Sequence, residues 1–582
     1  MRFNLKNTLL AITTVLTVYS CNYMDEIPYD WVQPEDVFSM ENNYIRPVNQ
    51  AYAYLPSGYN RVSSSFLDAA TDDGISTISN SAVHLLARGF INANTPVLNA
   101  WTSSYMGIRQ THFVQHYLKE VELVLNNQTP QQVQDLKNLY SGEMYALRAF
   151  YEFDLLRHYG GYVIVDKYYE FGDTDLSNRP RNTFEECVNN IVSLCDSASK
   201  YLDVAPIGNN SGRGRMTKGA AMAIKAKTLI FAASPLFNQP SNANPVVGYI
   251  QNSEASIKSR WEVAAAACIE VINLKNETGG VRYNFASGAY STLFTLAPNN
   301  LDVDFIFYLM TPQNNTLERR HYPPSLALNS GGGTVPTQDL LDAFTNSNGT
   351  DYVKRVDASQ YNNRDPRLAL FITFNGARYR NNSIAVYTKL GQGATVDGLN
   401  MTLDRSTNTG YYLRKFLNLN INFANNPATA HHVYPVIRFS DMLLLYAEAM
   451  NEAYGPDVDP NGFGLTAKAA VQRVRIRAGF TNSDQFLTNV NDVETMRAKI
   501  KQERRVEFCF EEQRYFDLRR WMDGEVLNKP ITGVRIETVS NVDVYTEFEA
   551  DPLRRFERKM YLHPIPLSEI RTSPNIIQNP GW

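Results

Sequence analysis

The 582-residue chain has only five cysteines, and none forms a C-x-x-C pair. That excludes thioredoxin-like redox chemistry and zinc sites built on paired cysteines. An excess of positive charge is also missing: 55 Lys and Arg face 59 Asp and Glu, for a net charge of −4. A nucleic-acid binder ordinarily carries a basic stripe. No G-x-S-x-G, G-x-x-x-x-G-K or G-x-G-x-x-G run occurs, so the hydrolase elbow, the P-loop and the dinucleotide fingerprint are absent. Past Cys21 no apolar run reaches the roughly 20 residues needed to cross a bilayer.

Aromatic residues are plentiful, with 34 Tyr, 29 Phe and 5 Trp. Tyr joins an apolar ring to a polar tip, which suits half-wet binding surfaces as well as helix packing. The first twenty residues read as a secretory signal peptide. Arg2 and Lys6 form its positive region, Leu9 to Val18 its apolar region, and small Ser20 precedes Cys21. The run Val18-Tyr19-Ser20-Cys21 resembles a bacterial lipobox. It predicts cleavage before Cys21 and acylation of its thiol, with a polar, Pro-containing tether following. Cys187, Cys195, Cys268 and Cys509 read as small buried hydrophobes.

Helical periodicity dominates the rest. Helices are predicted over 131–158, 183–203, 217–233, 261–275, 440–454, 463–478 and 492–522. Thr183 followed by Glu186 is a capping box, and Arg148 lies four residues from Glu152, a spacing that allows an ion pair. Residues 276–335 and 371–432 break the pattern, being rich in Gly, Asn, Thr and Pro with short strand-like runs such as Phe305 to Tyr308. Long irregular loops in a compact protein are usually functional. The expectation is a mostly α fold, a helical scaffold around a loop-rich insert. Residues 21–250 and 251–582 would form two regions of one globular body.

The residues point to no catalytic centre. His112 and His116 are four apart, but H-F-V-Q-H lacks the glutamate of a metalloprotease motif. His431-His432 reads as a packed or solvated pair. Asp68, Asp72 and Asp73 read as a solvated turn, with a loosely held calcium as the alternative. The charge-rich stretch 503–520 reads as ion pairs along one helix, Arg504 with Glu507 and Arg514 with Asp517. No metal or cofactor is expected.

An ordered set of motifs does carry a family resemblance. Leu147-Arg148-Ala149-Phe150 leads to Asp154-Leu155 and Tyr159-Gly160-Gly161. Gly214 to Ala220, Pro336 to Phe344 and Asp365-Pro366-Arg367-Leu368 follow. Then come Arg438 to Ala449, Arg475 to Gly479, Glu503-Arg504, Arg514 to Trp521, and Pro564 to Trp582. In this order and behind a lipobox, they make the chain similar to the SusD/RagB family of Bacteroidetes outer-membrane lipoproteins. The resemblance implies tetratricopeptide-like helix pairs with a loop-rich binding region. It implies a SusC-like TonB-dependent β-barrel partner in the outer membrane. It also implies a glycan ligand, or an oligopeptide in the RagB branch. A secreted α-helical glycosidase or lyase is the enzymatic alternative.

A glycan site combines exposed aromatics with polar groups on loops held by a rigid scaffold. Two segments fit, at positions where by resemblance the family binds. One runs from Ser81 to Asn94 and offers His84, Arg88 and Phe90. The other runs from Tyr308 to Tyr322 and offers Tyr308, Arg319 and Tyr322.

Overall fold

The computed structural model describes residues 33–170, 172–205, 212–297, 301–424 and 428–582. Cys21 and the expected signal peptide lie outside the described residues.

The longer helices are α1 (Ala100–Glu120), α2 (Pro130–Tyr159), α3 (Phe184–Tyr201), α4 (Lys218–Ala233) and α5 (Glu254–Ile272), followed later by α6 (Phe439–Tyr454), α7 (Ala467–Arg477), α8 (Val493–Glu507) and α9 (Gln513–Arg520). Most start where the sequence supplies a cap. Thr129 with Gln132 and Thr183 with Glu186 form complete capping boxes, and Asn99, Thr217, Ser253, Thr466 and Asp492 each accept a first-turn N–H. Each helix from α1 to α5 packs on the next, α5 packs on α6, and α6 packs on both α7 and α8. This is the stacked helix-pair arrangement of a solenoid.

Small residues set how closely the helices approach. Gly107 of α1 faces the ring of Tyr151 on α2, where an added Cβ would sit 2.5 Å from that ring. Gly142 of α2 likewise admits the Cβ of Tyr201 at the end of α3. The helices enclose one large core, and a second core of Phe66, Tyr290, Phe294, Tyr322, Phe371 and their neighbours lies under the loop-rich region.

Most strands are short. Gly74–Ser76 pairs antiparallel with Thr334–Pro336, and Phe305–Met310 pairs antiparallel with Val433–Arg438. These two pairs are largely buried. A longer hairpin joins Ile531–Val539 to Val542–Asp551. Its two-residue turn, Ser540 and Asn541, has φ of 51° and 67°. Two left-handed residues are what a tight right-twisted hairpin requires.

Two expectations need correction. The helix expected over 492–522 is two helices broken at 508–512, where Phe510 and Glu512 adopt φ of 63° and 61°. Arg148 and Glu152 do not pair. Arg148 donates to Thr111 and Gln115, and Glu152 accepts from Tyr162 and Asn190. The four described cysteines are buried and unpaired, and burial pushes their thiols well up.

Candidate functional site

The charge-rich stretch 503–520 folds into the centre of the molecule, not onto a helix surface. Apart from Arg520 with Asp517, three residues apart, its pairs reach other elements, which corrects the expected pairings of Arg504 with Glu507 and Arg514 with Asp517. Arg504 meets Asp441 and Asp517, and Arg514 meets Asp72. Glu507 is held by Arg367 and Arg438. Glu503 is shared by Arg367 and Arg475, and Arg520 bridges Asp517 and Glu448. Burial alone would raise the Glu507 carboxyl, but Arg438 and Arg367 outweigh it and hold it at about 2. These carboxylates are committed to cationic partners, Asp441 also to Lys227, and Glu507 accepts the Tyr290 hydroxyl at 2.8 Å.

The network extends to the acidic run near residue 70. Asp68, Asp72 and Asp73 are buried, which corrects the expected solvated turn. The Asp68 carboxylate accepts the N–H groups of Phe510 and Glu512 at 3.0 and 3.1 Å, capping the break between α8 and α9. Asp72 pairs with Arg505 and Arg514, and Asp73 with Arg505. Among the described residues, no group of three His, Cys, Asp or Glu side chains is arranged to hold a metal. His112 bonds to the Val165 carbonyl, His432 to Glu318 and His431 to Gln313.

What the network positions is a face of knitted loops. The residues after Gly74–Ser76 are tied to two distant segments. Thr77 N–H donates to the Gly333 carbonyl at 2.8 Å, and Ser79 N–H donates to Asp404 Oδ1 at 2.9 Å. Gly332 packs directly on the Arg405 carbonyl, where no side chain fits. Ser325 binds Asp397 through both N–H and hydroxyl. Segments 77–80, 325–333 and 395–406 therefore form one cross-linked platform. Its backbone is strained: Leu328, Asn329, Asn400 and Asp404 all have φ between 52° and 60°. Such strain persists only where surrounding contacts impose it, and it concentrates at functional sites. The platform also exposes apolar groups, with Leu403 at 81% and Leu328 at 59% exposure beside exposed Asn80, Asn329 and Arg405.

The residues singled out in the sequence fall into two groups. Phe90 is exposed (63%), and Arg319 is exposed with its guanidinium over the Phe423 ring. His84, Arg88, Tyr308 and Tyr322 are occupied elsewhere. His84 is buried and bonds the Ile78 carbonyl, and burial lowers its pKa. Arg88 reaches Asp551 at the base of the hairpin. Tyr308 is buried on its strand and donates to Asp302, while Tyr322 is fully buried and donates to the Asn418 carbonyl. Neither tyrosine presents a ring face to solvent in this structure. Each segment contacts the Ser65-Phe66 step, Ser81 bonding Ser65 and His321 packing on Phe66, but these side chains do not converge on one cavity. Sequence reasoning did not single out residues 395–405. Their run of Gly, Asn, Asp and Thr between isolated Val, Leu and Met was the available signal.

Comparison with known proteins places this architecture. The model of the SusD family matches residues 306–582, and a second SusD-like model, described as starch-binding and associating with the outer membrane, matches residues 22–229. The chain belongs to the SusD/RagB family. SusD-like protein P38 of Formosa agariphila is 24% identical over 414 residues, covering 68% of this chain and 69% of that protein. A SusD-like protein from Bacteroides fragilis superposes with a TM-score of 0.74 at 23% identity, covering 96% of this chain and all of that one. A SusD-like carbohydrate-binding protein from the same species gives 0.70 at 19% identity, covering 93% and 99%. A laminarin-binding SusD-like protein gives 0.62 at 18% identity, over 93% and 99% of the two chains. Arg367, Arg438, Glu503, Arg504, Glu507 and Arg520 are buried together in the ion-pair network of this fold.

Proposed function

We propose that this SusD-family chain is a non-catalytic surface lipoprotein that captures oligosaccharide or polysaccharide and passes it to a SusC-like TonB-dependent β-barrel. Family membership spanning both halves of the chain carries the reading. The names of the relatives support it, since they describe starch, carbohydrate and laminarin binding and outer-membrane association. The knitted platform supports it too, because exposed apolar groups beside amides and a guanidinium suit the mixed surface of a sugar. In this reading Cys21 carries the lipid, the body sits at the outer membrane facing outward, and Phe90, Arg319, Leu403 and Arg405 contact the glycan.

The test is a binding screen of the mature protein against neutral and acidic glycans and a peptide library. Retention of a glycan that elutes intact after long incubation is the expected result. Selective retention of peptides would move the protein to an oligopeptide carrier, and reproducible cleavage would make it an enzyme. Intact mass of the membrane-bound form tests the anchor. An unmodified Cys21, or membrane retention of Cys21→Ala, overturns that part. Crosslinking in cells should capture a β-barrel protein, and repeated failure to do so removes the transporter.

A further inference from the structure

Helix α2 is 30 residues long, about 45 Å; of its first ten residues only Leu136 and Leu139 pack, half-buried, against the core, and full burial begins at Tyr140. This overhang faces the end of α3 and the chain before α1 across an open cleft of about 670 Å³. Small-molecule sites span about 300–1,000 Å³. On the α2 wall, Gln132, Asp135, Leu136 and Leu139 recur at three- and four-residue spacing, which puts them on one helical face. Tyr201, 44% exposed, stands on the opposite wall with Lys200 and Asp203, and Tyr44 closes one end.

Among the described residues, the side chains of Gln128, Lys200 and Asp203 make no hydrogen bond within the chain. Gln132 spends its carbonyl on the Thr129 N–H and keeps its NH2 group, and Asn138 accepts from Gln134 and keeps its own. The cleft thus offers donors and acceptors at several heights and Tyr rings at its edges. Hydroxyl groups on a ring with C–H faces match that set. Charge narrows the class. Glu41, Asp135 and Asp203 outnumber Lys200, for a net of −2 (one positive, three negative), which repels uronic or sulfated sugars.

We propose that this cleft is a second saccharide site, separate from the loop platform and selective for neutral oligosaccharides. A chain with two sites holds a long glycan at both, and the second contact then forms at high local concentration.

The mature protein is titrated with laminarihexaose, maltohexaose and cellohexaose, with hexagalacturonic acid and heptalysine as controls. Two variants are compared with the parent: Tyr201→Ala with Asp203→Ala in the cleft, and Leu328→Ala with Leu403→Ala on the platform. Tyr201→Ala keeps the Cβ on which Gly142 packs, so the helices stay in register. At least one neutral hexaose should bind the platform variant and bind the cleft variant about tenfold more weakly at that site. Asp135→Lys should lose neutral binding and gain hexagalacturonic acid. Neutral binding unchanged in the cleft variant overturns the proposal. If that binding disappears in the platform variant, the glycan reading stands without a second site. Binding of heptalysine alone makes the cleft a site for cationic peptides and overturns it as well. If no hexaose binds the parent, the second site falls, and the wider glycan screen alone decides the family reading.

Discussion

Arg438 and Glu511 form a two-pronged ion pair in the centre of the protein, with Nε–Oε2 at 2.8 Å and Nη2–Oε1 at 2.9 Å, both side chains being 2% exposed. Arg438 opens α6 and Glu511 sits in the break between α8 and α9, so the pair fastens two parts of the helical body. Lys415 adds a second cation on Glu511 at 2.7 Å and also donates to the Glu507 and Cys509 carbonyls.

Glu511→Gln should therefore be strongly destabilising. It leaves two buried cations short of a countercharge, and removing one partner of a buried pair costs about 3–5 kcal/mol. Replacing Arg438, Lys415 and Glu511 together with well-packed apolar residues should cost much less than the single change, because Glu507 keeps Arg367 and no charge is stranded. Urea unfolding of the single and triple variants checks this. An unchanged midpoint for Glu511→Gln would mean the centre is hydrated.

The pH dependence of stability should have two opposite parts. Burial raises the Glu507 carboxyl, but Arg438 and Arg367 bring it to about 2, below its unfolded value near 4.3. Its contribution is present above the unfolded pKa and is lost as pH falls from about 4 through 2. Glu152 behaves in the other sense. Burial raises it to about 7, and bonds from Tyr162 and Asn190 offset this only in part, leaving its Oε1 without a partner. Its favourable contribution exists below the unfolded pKa and disappears as pH rises from about 4.3 through 7. Glu152→Gln should flatten that upper window and raise the melting temperature at pH 8 relative to the parent. Equal pH profiles for parent and variant would show that Glu152 does not titrate there.

Periodicity and caps made α2, α3, α4 and α6 readable to within two residues because local signals agree with burial. Thr183 with Glu186 marks its helix start regardless of tertiary context. The α8–α9 break was hidden because its cause, Asp68, lies more than 400 residues away. Separation also disguised the partner of Arg514, Asp72 being 442 residues away, and that of Arg504, Asp441 being 63 away. The hairpin at 531–551 had a local signal, alternating Val, Ile and charged residues around Ser540-Asn541, and the helical reading passed over it. At the loop face, sequence marked the irregular segments but not which side chains face out. A Tyr in a loop looks the same in sequence whether it roofs a core, as Tyr322 does, or meets solvent.

Gly107→Ala should reverse the usual preference. In an exposed helix interior, Ala is about 1 kcal/mol better than Gly. Here the added methyl would lie 2.5 Å from the buried Tyr151 ring. That ring is anchored by its hydroxyl to the Ala51 carbonyl at 2.5 Å, so it has little freedom to retreat. Overpacking of this kind costs about 1–3 kcal/mol. Thermal unfolding should show Gly107→Ala less stable than the parent, and a stabilised variant would mean that α1 and α2 separate readily.

Binding and stability should come apart at the loop face. Tyr322 lies in the second core, edge-on to Tyr379 at 5.4 Å and to Phe423 at 6.2 Å. Tyr322→Ala removes a fully buried aromatic ring and should cost about 3–5 kcal/mol in stability. Any loss of ligand affinity it causes is then secondary to unfolding or loop displacement. Phe90 and Leu403 are 63% and 81% exposed. Exposed substitutions away from special features usually change stability by no more than about 0.5 kcal/mol. Phe90→Ala with Leu403→Ala should leave the melting temperature nearly unchanged and weaken glycan binding by about 1–3 kcal/mol. Calorimetric unfolding and isothermal titration on the same three proteins separate the cases. A double variant with parental affinity removes these side chains from the site, and a Tyr322→Ala protein with parental melting temperature would show that its ring is not packed as described.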